Sequence, residues 1–272
     1  MFIFSDLSQL QRQQDLEGNP GGDRIWDISV VSDTRLLVTV WLERKVILVD
    51  SQTGGTVAHI TLEHGPLKVC MWDNNTAVVT LAWEKKVQFI NIYGDSLTLG
   101  QSLNVNGVVR GIARSEEGLV VSYWSYRSSP RLEVLAMNGT VLNRFKPAAG
   151  RDVFKNPFFI ATSADNMVYV SDWGTSTITQ LDSNLRVTKT FSDPMLQEPR
   201  GIISVSADQV LVCSLHNHRI LLLCPSTGVI TSILDKKDGI KKPWALTFSP
   251  SQRKLYVVPY AWSGSVQVFQ QQ

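Results

Sequence analysis

An all-β fold, a six-bladed β-propeller of four-stranded antiparallel blades, is what the sequence predicts, and three observations predict it. A short motif recurs six times at a period of about forty residues. Each repeat divides into four strand-length apolar segments separated by turn residues. No stretch carries a sustained 3.6-residue apolar period with helix caps; Leu7 to Leu16 is the one segment where a helix competes.

The motif reads Leu37-Val38-Thr39-Val40-Trp41, Val78-Val79-Thr80-Leu81-Ala82-Trp83, Val120-Val121-Ser122-Tyr123-Trp124 and Tyr169-Val170-Ser171-Asp172-Trp173, then Leu211-Val212-Cys213-Ser214-Leu215 and Val257-Val258-Pro259-Tyr260-Ala261-Trp262. Its anchors Thr39, Thr80, Ser122, Ser171, Cys213 and Pro259 follow one another at intervals of 41 to 49 residues. The fifth unit shows the four segments most plainly. Strands are expected at Gly201 to Val205, Gln209 to Ser214, Arg219 to Cys224 and Val229 to Leu234. Between them lie Ser206-Ala207-Asp208, His216-Asn217-His218 and Ser226-Thr227-Gly228, residue types that accept turn angles, while the strands are rich in Val, Ile and Leu.

A blade cannot bury both of its faces alone, so six must stack in a ring, and the ring must close. The sixth unit has three strands before the chain ends: Trp244 to Ser249, Lys254 to Tyr260 and Ser265 to Gln270. The missing outer strand is expected from the N-terminal residues 2–14. Residues 1–272 then form one domain, with blades near 24–62, 65–104, 107–146, 156–191, 198–235 and 242–272 plus 2–14. Length alone suggests two domains; the period argues for one.

Composition excludes several classes. Apolar residues make up 43% of the chain, enough for a large core and too many for a disordered one. Apolar runs such as Val46 to Val49 are strand-length, well below the roughly 20 residues of a membrane-spanning helix. Met1 to Asp6 lacks the basic start and apolar stretch of a signal peptide. Cys70, Cys213 and Cys224 build no disulfide framework and no CxxC pair, which suits a reducing compartment, and a cytoplasmic location is expected. Asn74-Asn75-Thr76 and Asn138-Gly139-Thr140 match glycosylation sequons, a pattern short enough to arise by chance.

The stretch Val168-Tyr169-Val170-Ser171-Asp172-Trp173-Gly174-Thr175-Ser176-Thr177-Ile178 resembles the NHL repeat, as do Pro199-Arg200-Gly201-Ile202 and Asn217-His218-Arg219-Ile220. By period the resemblance spans the chain; residue by residue it is good in units four and five, while the other four have drifted. Asp172-Trp173-Gly174 is also similar to the YWTD propellers of lipoprotein receptors, but those are extracellular and cysteine-flanked. Among NHL proteins the drifted pattern resembles the C-terminal propeller of the tripartite-motif family. That resemblance implies a module that recruits RNA or protein, beside a RING domain that transfers ubiquitin. Three cysteines and four histidines cannot build the RING and B-box zinc sites, so the module stands alone or comes from a longer chain.

Strand order sorts the charges. Turns between second and third strands, and the links between blades, share one face, here the upper face. It receives most of the 26 basic residues together with acids such as Glu43, Glu63, Glu84 and Glu198, whereas Asp33, Asp50, Asp73, Asp95, Glu116, Glu117, Asp165, Asp182 and Asp208 fall on the lower face with few bases, so a net charge of +2 is expected to hide a polarised molecule. A tryptophan or tyrosine ends most second strands, which reads either as inter-blade packing or as a surface for stacking unpaired bases. The candidate contacts are Lys85, Lys86, Arg110, Tyr126, Arg127, Arg131, Arg151, Lys155, Trp173, Arg200 and Arg219, meeting RNA (single-stranded or stem-loop) or an acidic protein surface. Ser125 to Arg131 and Pro147 to Asn156 form the two longest connections, both on this face.

The alternative is a propeller enzyme of metal-dependent lactonase or lyase type, with its site at the central channel. The first strands offer one carboxylate, Asp27, with Asn156 nearby, too few oxygens for calcium. His216 and His218 share a loop but His59 and His64 lie in another blade, and no GxSxG, HExxH or P-loop motif occurs. The sequence therefore predicts a recognition module rather than an enzyme, monomeric as an isolated propeller, with no cofactor, no metal and no membrane contact.

Overall fold

The computed structural model describes residues 10–16, 24–124, 130–147, 153–261 and 264–271. These form six sheets, each of four antiparallel strands. The innermost strands, one per sheet, are Ile25–Ser32, Val69–Asp73, Val108–Arg114, Pro157–Thr162, Pro199–Ser206 and Pro243–Ser249. Each packs beside the next and the last packs beside the first, so the sheets close into a propeller ring. In blade five the second, third and fourth strands are Gln209–Ser214, Arg219–Cys224 and Val229–Leu234, the bounds expected from sequence.

Closure follows the expected route. Leu10–Arg12 pairs antiparallel with Gln267–Gln271, Leu10 opposite Gln271, and becomes the outer strand of blade six. Leu16 adds a bridge to Val266. The part of the competing helix segment that is described is strand and coil, because pairing satisfies a sheet edge that would otherwise be left open. Among the described residues no helix is long and apolar enough to cross a membrane.

Burial explains the apolar runs. Second strands such as Arg35–Val40 are covered on both faces by neighbouring blades and are buried from Leu36 onward. Outer strands such as Val187–Phe191 face solvent at every residue but Phe191. Between blades one and two, Leu37, Leu48, Val79 and Ile90 pack together with no exposed surface. Each such side chain contributes about 1.5–3 kcal/mol by leaving water.

The repeat anchors do a second job. Thr39 Oγ1 donates to Leu67 O (3.0 Å), Thr80 Oγ1 to Arg110 O (3.0 Å), Ser122 Oγ to Pro157 O (3.1 Å) and Ser171 Oγ to Arg200 O (2.6 Å). Every one of these bonds crosses from the second strand of one blade to the start of the next blade. Two of the hydroxyls also accept from their own blade, Thr80 from Lys68 N (3.1 Å) and Ser122 from Gly111 N (2.9 Å). Glycine is needed at Gly111, where a Cβ would come within 2.8 Å of Phe158 O and of Ser122 Oγ. In blades five and six Cys213 and Pro259 occupy the anchor position. The last junction is closed differently, by Trp244 Nε1 donating to Trp26 O at 2.8 Å.

Replacing Thr80 by valine keeps the shape and deletes the hydroxyl, leaving Arg110 O and Lys68 N–H short of a partner. We expect Thr80→Val to lower unfolding free energy by about 1–3 kcal/mol in urea titration. An unchanged midpoint would mean that the hydroxyl bond is not part of the junction.

Candidate functional site at the upper mouth of the channel

Five of the six innermost strands begin with an irregular register. Trp26 is skipped between the pairs Ile25–Val40 and Asp27–Thr39, and Phe158 between Pro157–Asp172 and Phe159–Ser171. Arg110 and Gly111 fall between Val109–Tyr123 and Ile112–Val121, Arg200 and Gly201 between Pro199–Ser214 and Ile202–Val212. Trp244 is skipped between Pro243–Pro259 and Ala245–Val258. Lys68 stands at the same place in blade two, one residue before the strand. Bulges of this kind re-aim a side chain. Here they gather Trp26, Lys68, Arg110, Phe158, Arg200 and Trp244 at the top of the channel, three aromatic and three cationic groups in one ring.

Trp244 is the hub. Its ring meets Trp26 edge-on (centroids 5.3 Å apart), Phe158 (5.9 Å), Phe159 (5.7 Å) and Tyr260 (5.2 Å). The cations lie on ring faces. Arg24 Cζ is 3.4 Å from the Tyr260 centroid and 4.2 Å from that of Trp244. Arg200 Cζ is 4.7 Å from Trp173 and 4.9 Å from Trp244, and Arg110 Cζ is 4.5 Å from Trp124. Such contacts hold a guanidinium flat while leaving its edge able to donate. Arg200 bonds Glu198 (3.0 Å), which supports the charge that burial opposes.

A cavity of about 310 Å³ opens above this ring, walled by Trp26, Trp41, Trp83, Trp173 and Trp244 with Arg110, Phe158 and Arg200. Trp83 is 62% exposed at its rim. The indole Nε1 atoms of Trp41 and Trp173, and Arg200 Nε, are buried with no hydrogen-bond partner among the described residues. A second cavity of about 220 Å³ shares Trp26, Arg200 and Trp244 and adds Arg24, His216 and Lys242.

Lys68 is buried beneath the aromatic rings and lines neither of these two cavities. Its side chain is 2% exposed, with Nζ 3.0 Å from the Phe159 centroid, 3.3 Å from Trp26 O and 3.9 Å from Asp27 Oδ1. Burial pushes its ammonium down to about 7; Asp27 opposes that shift, while Arg200 and Arg24 add to it. Burial likewise raises the Asp27 carboxyl, against Lys68 and the Val69 N–H (2.9 Å).

The residues expected at a binding face are scattered by the structure into three groups. Arg110, Arg200 and Trp173 meet at the mouth. Lys86 and Arg131 are held by acids of their own blades, Lys86 by Glu84 (3.4 Å) and Arg131 by Glu133 (3.2 Å), so the upper face is less basic than the count of its cations suggests. Lys85 and Lys155 are exposed and Arg219 is half-buried, outside the mouth cavity. Tyr126, Arg127 and Arg151 lie outside the described residues. Sequence reasoning missed Trp26, Lys68, Phe158 and Trp244. The signal was present, because all six ring residues precede their anchors by 12 to 15 positions, but the first strands read as uniformly apolar. Among the once-per-blade aromatics, Trp124 carries the Arg110 guanidinium within its own blade, and Trp83 faces solvent.

Other chemistry is placed as follows. Cys70 is pushed up to about 12 by burial and Cys213 well above its usual range, so neither thiol is a ready nucleophile. His218 Nδ1 accepts from Lys242 N (3.0 Å), and His216 lies 3.7 Å from Glu198. Glu63, His64 and Glu84 bring ligand atoms within 4.8 Å of one another, the one such trio among the described residues.

No family model matches this chain, and no curated protein does. The fold is shared with solved structures at low identity. A virginiamycin B lyase from Staphylococcus aureus, solved with quinupristin, has a TM-score of 0.66 at 13% identity, covering 94% of this chain and 98% of that one. A streptogramin B lyase structure has 0.68 at 13%, covering 95% and 97%. The β-propeller domain of Myceliophteria thermophila Cps50 (Swd1) has 0.63 at 14%, covering 90% and 83%. This corrects one expectation. The chain was read as no enzyme because it lacks known catalytic motifs, yet propellers of this shape include lyases, so the absence of those motifs does not decide the question. The likeness establishes the fold alone, a six-bladed β-propeller.

The buried lysine gives a pH signature. Between about pH 7 and the ordinary lysine value of 10.5 the unfolded chain holds a proton on Lys68 that the folded chain has lost, so this group makes stability rise with pH there, by up to about 1.4 kcal/mol per unit. Below that window both states are protonated and the slope disappears. Relative to wild type, Lys68→Met is expected to lose this rise in urea titrations at a series of pH values. Parallel curves for the two proteins would contradict the assignment.

Proposed function

We propose that this propeller is a cytoplasmic recognition module that takes single-stranded or looped RNA across its upper face. The observation that carries the reading is the ring of three aromatic and three cationic residues beneath a tryptophan-walled cavity. A flat base fits against Trp41, Trp83 or Trp173, and a phosphate fits the guanidinium edges of Arg110 and Arg200. The buried, unpartnered indole N–H groups of Trp41 and Trp173 suit the acceptor edge of a base. Lys85, Lys155 and Arg219 extend the path for a backbone beyond the mouth, and Tyr126, Arg127 and Arg151 belong to its two long connections.

A second reading rests on the glutamates that pair with Lys45, Lys86, Arg131 and Arg200, since they reduce the attraction for a polyanion and suit a short acidic protein loop with an aromatic tip. Under the resemblance to tripartite-motif propellers, either ligand would be the target that such a module brings to a ubiquitin ligase, and the isolated propeller would act as a monomer.

Under the RNA reading, affinity for a random single-stranded pool falls steeply with salt, and Arg200→Ala lowers the slope of log K against log salt by about 1. Trp83→Ala weakens binding roughly tenfold through lost stacking. Filter binding at several salt concentrations checks both. No binding at about 50 mM salt, with an acidic peptide bound instead, would transfer the assignment to the protein reading.

A further inference from the structure

Beneath the floor of the mouth lies a separate cavity of about 250 Å³, inside the central channel toward the lower face. It has room for about eight waters' worth of volume. Lys68 and Asp27 line it beside Ser29, Arg114, Ser204 and Thr247. Lys68 is the unusual member. An ammonium has three N–H donors, yet among the described residues its one hydrogen bond is the 3.3 Å contact to Trp26 O. The Asp27 carboxylate stays 3.9 Å away, with Oδ2 committed to the Val69 N–H. A desolvated cation with donors to spare calls for an acceptor. Arg114, exposed near the lower end of its strand, adds a second positive charge, so Lys68, Asp27 and Arg114 sum to a positive site when Lys68 is protonated.

We propose that this lower channel cavity binds a small organic carboxylate, whose oxygens accept from the Lys68 ammonium while Arg114 supplies attraction at the entrance. This cavity shares no lining residue with the one at the mouth, although Arg200 and Arg24 there oppose the charge on Lys68. A carboxylate beside Lys68 favours its charged form, so above neutral pH, binding draws a proton from solution.

The test is isothermal titration calorimetry of the intact protein with acetate, benzoate and inorganic phosphate, at about pH 6.5 and pH 8, in two buffers of different ionisation heat. At least one of the two carboxylates should bind with a dissociation constant in the millimolar range or tighter, more weakly at the higher pH, and with uptake of up to about one proton there. Lys68→Met should weaken it at least tenfold. Ser29→Leu, which keeps Lys68 and fills the cavity from another strand, should weaken it as well, so the test does not depend on one variant folding. No carboxylate binding up to about 20 mM would overturn the proposal. So would binding without proton uptake at the higher pH, affinity undiminished in both variants, or a preference for phosphate over both carboxylates.

Discussion

The structure depends on a hydroxyl in the second half of four of the six second strands. At four junctions, Thr39, Thr80, Ser122 and Ser171 reach across to a main-chain carbonyl at the start of the next blade. A buried carbonyl without a partner costs about 1–3 kcal/mol, so these bonds fix how far one blade slides against the next. They also fix the bulge, because the accepting carbonyl belongs to the bulged residue or to its neighbour. A bulge held at its carbonyl has little freedom in where its side chain points. The repeat that makes the fold thus builds the ring of groups at the mouth.

Where the hydroxyl is absent, packing takes over. Gly201 allows blade six to approach so closely that a Cβ there would meet Ala245 Cα at 2.8 Å. At the closing junction Trp244 spans the gap with its indole N–H. The two junctions without a hydroxyl anchor are therefore those that meet at Trp244, the most heavily used ring of the mouth. Structure and candidate site share this residue, and a change there would disturb both.

Much of the fold was legible in the sequence. The period located all six blades, turn chemistry located the strands of blade five, and the shortage of one strand in unit six pointed to the N-terminus. The site was less legible, for a physical reason. A bulge residue looks like one more strand position, and the alternation of inward and outward positions fails there by one step. Nothing in the apolar pattern therefore marks Trp26, Phe158 and Trp244, or sets Lys68, which is 2% exposed, apart from other lysines. Arg110 and Arg200 were selected as basic residues near the upper face, without the bulge geometry that brings them together. The face-by-face sorting of charge also overlooked pairing: Glu84, Glu133 and Glu198 offset cations within their own blades.

The central claim is that the bulge ring and its tryptophans form the ligand-binding surface of this propeller. Ultraviolet crosslinking to RNA selected from a random pool, followed by mass spectrometry of the crosslinked peptides, tests it most directly. The account predicts adducts on the peptides carrying Trp41, Trp83 and Trp173, around the mouth. Adducts confined to the lower-face turns, such as those at Asp33 or Asp208, or no adduct on any mouth peptide, would contradict it.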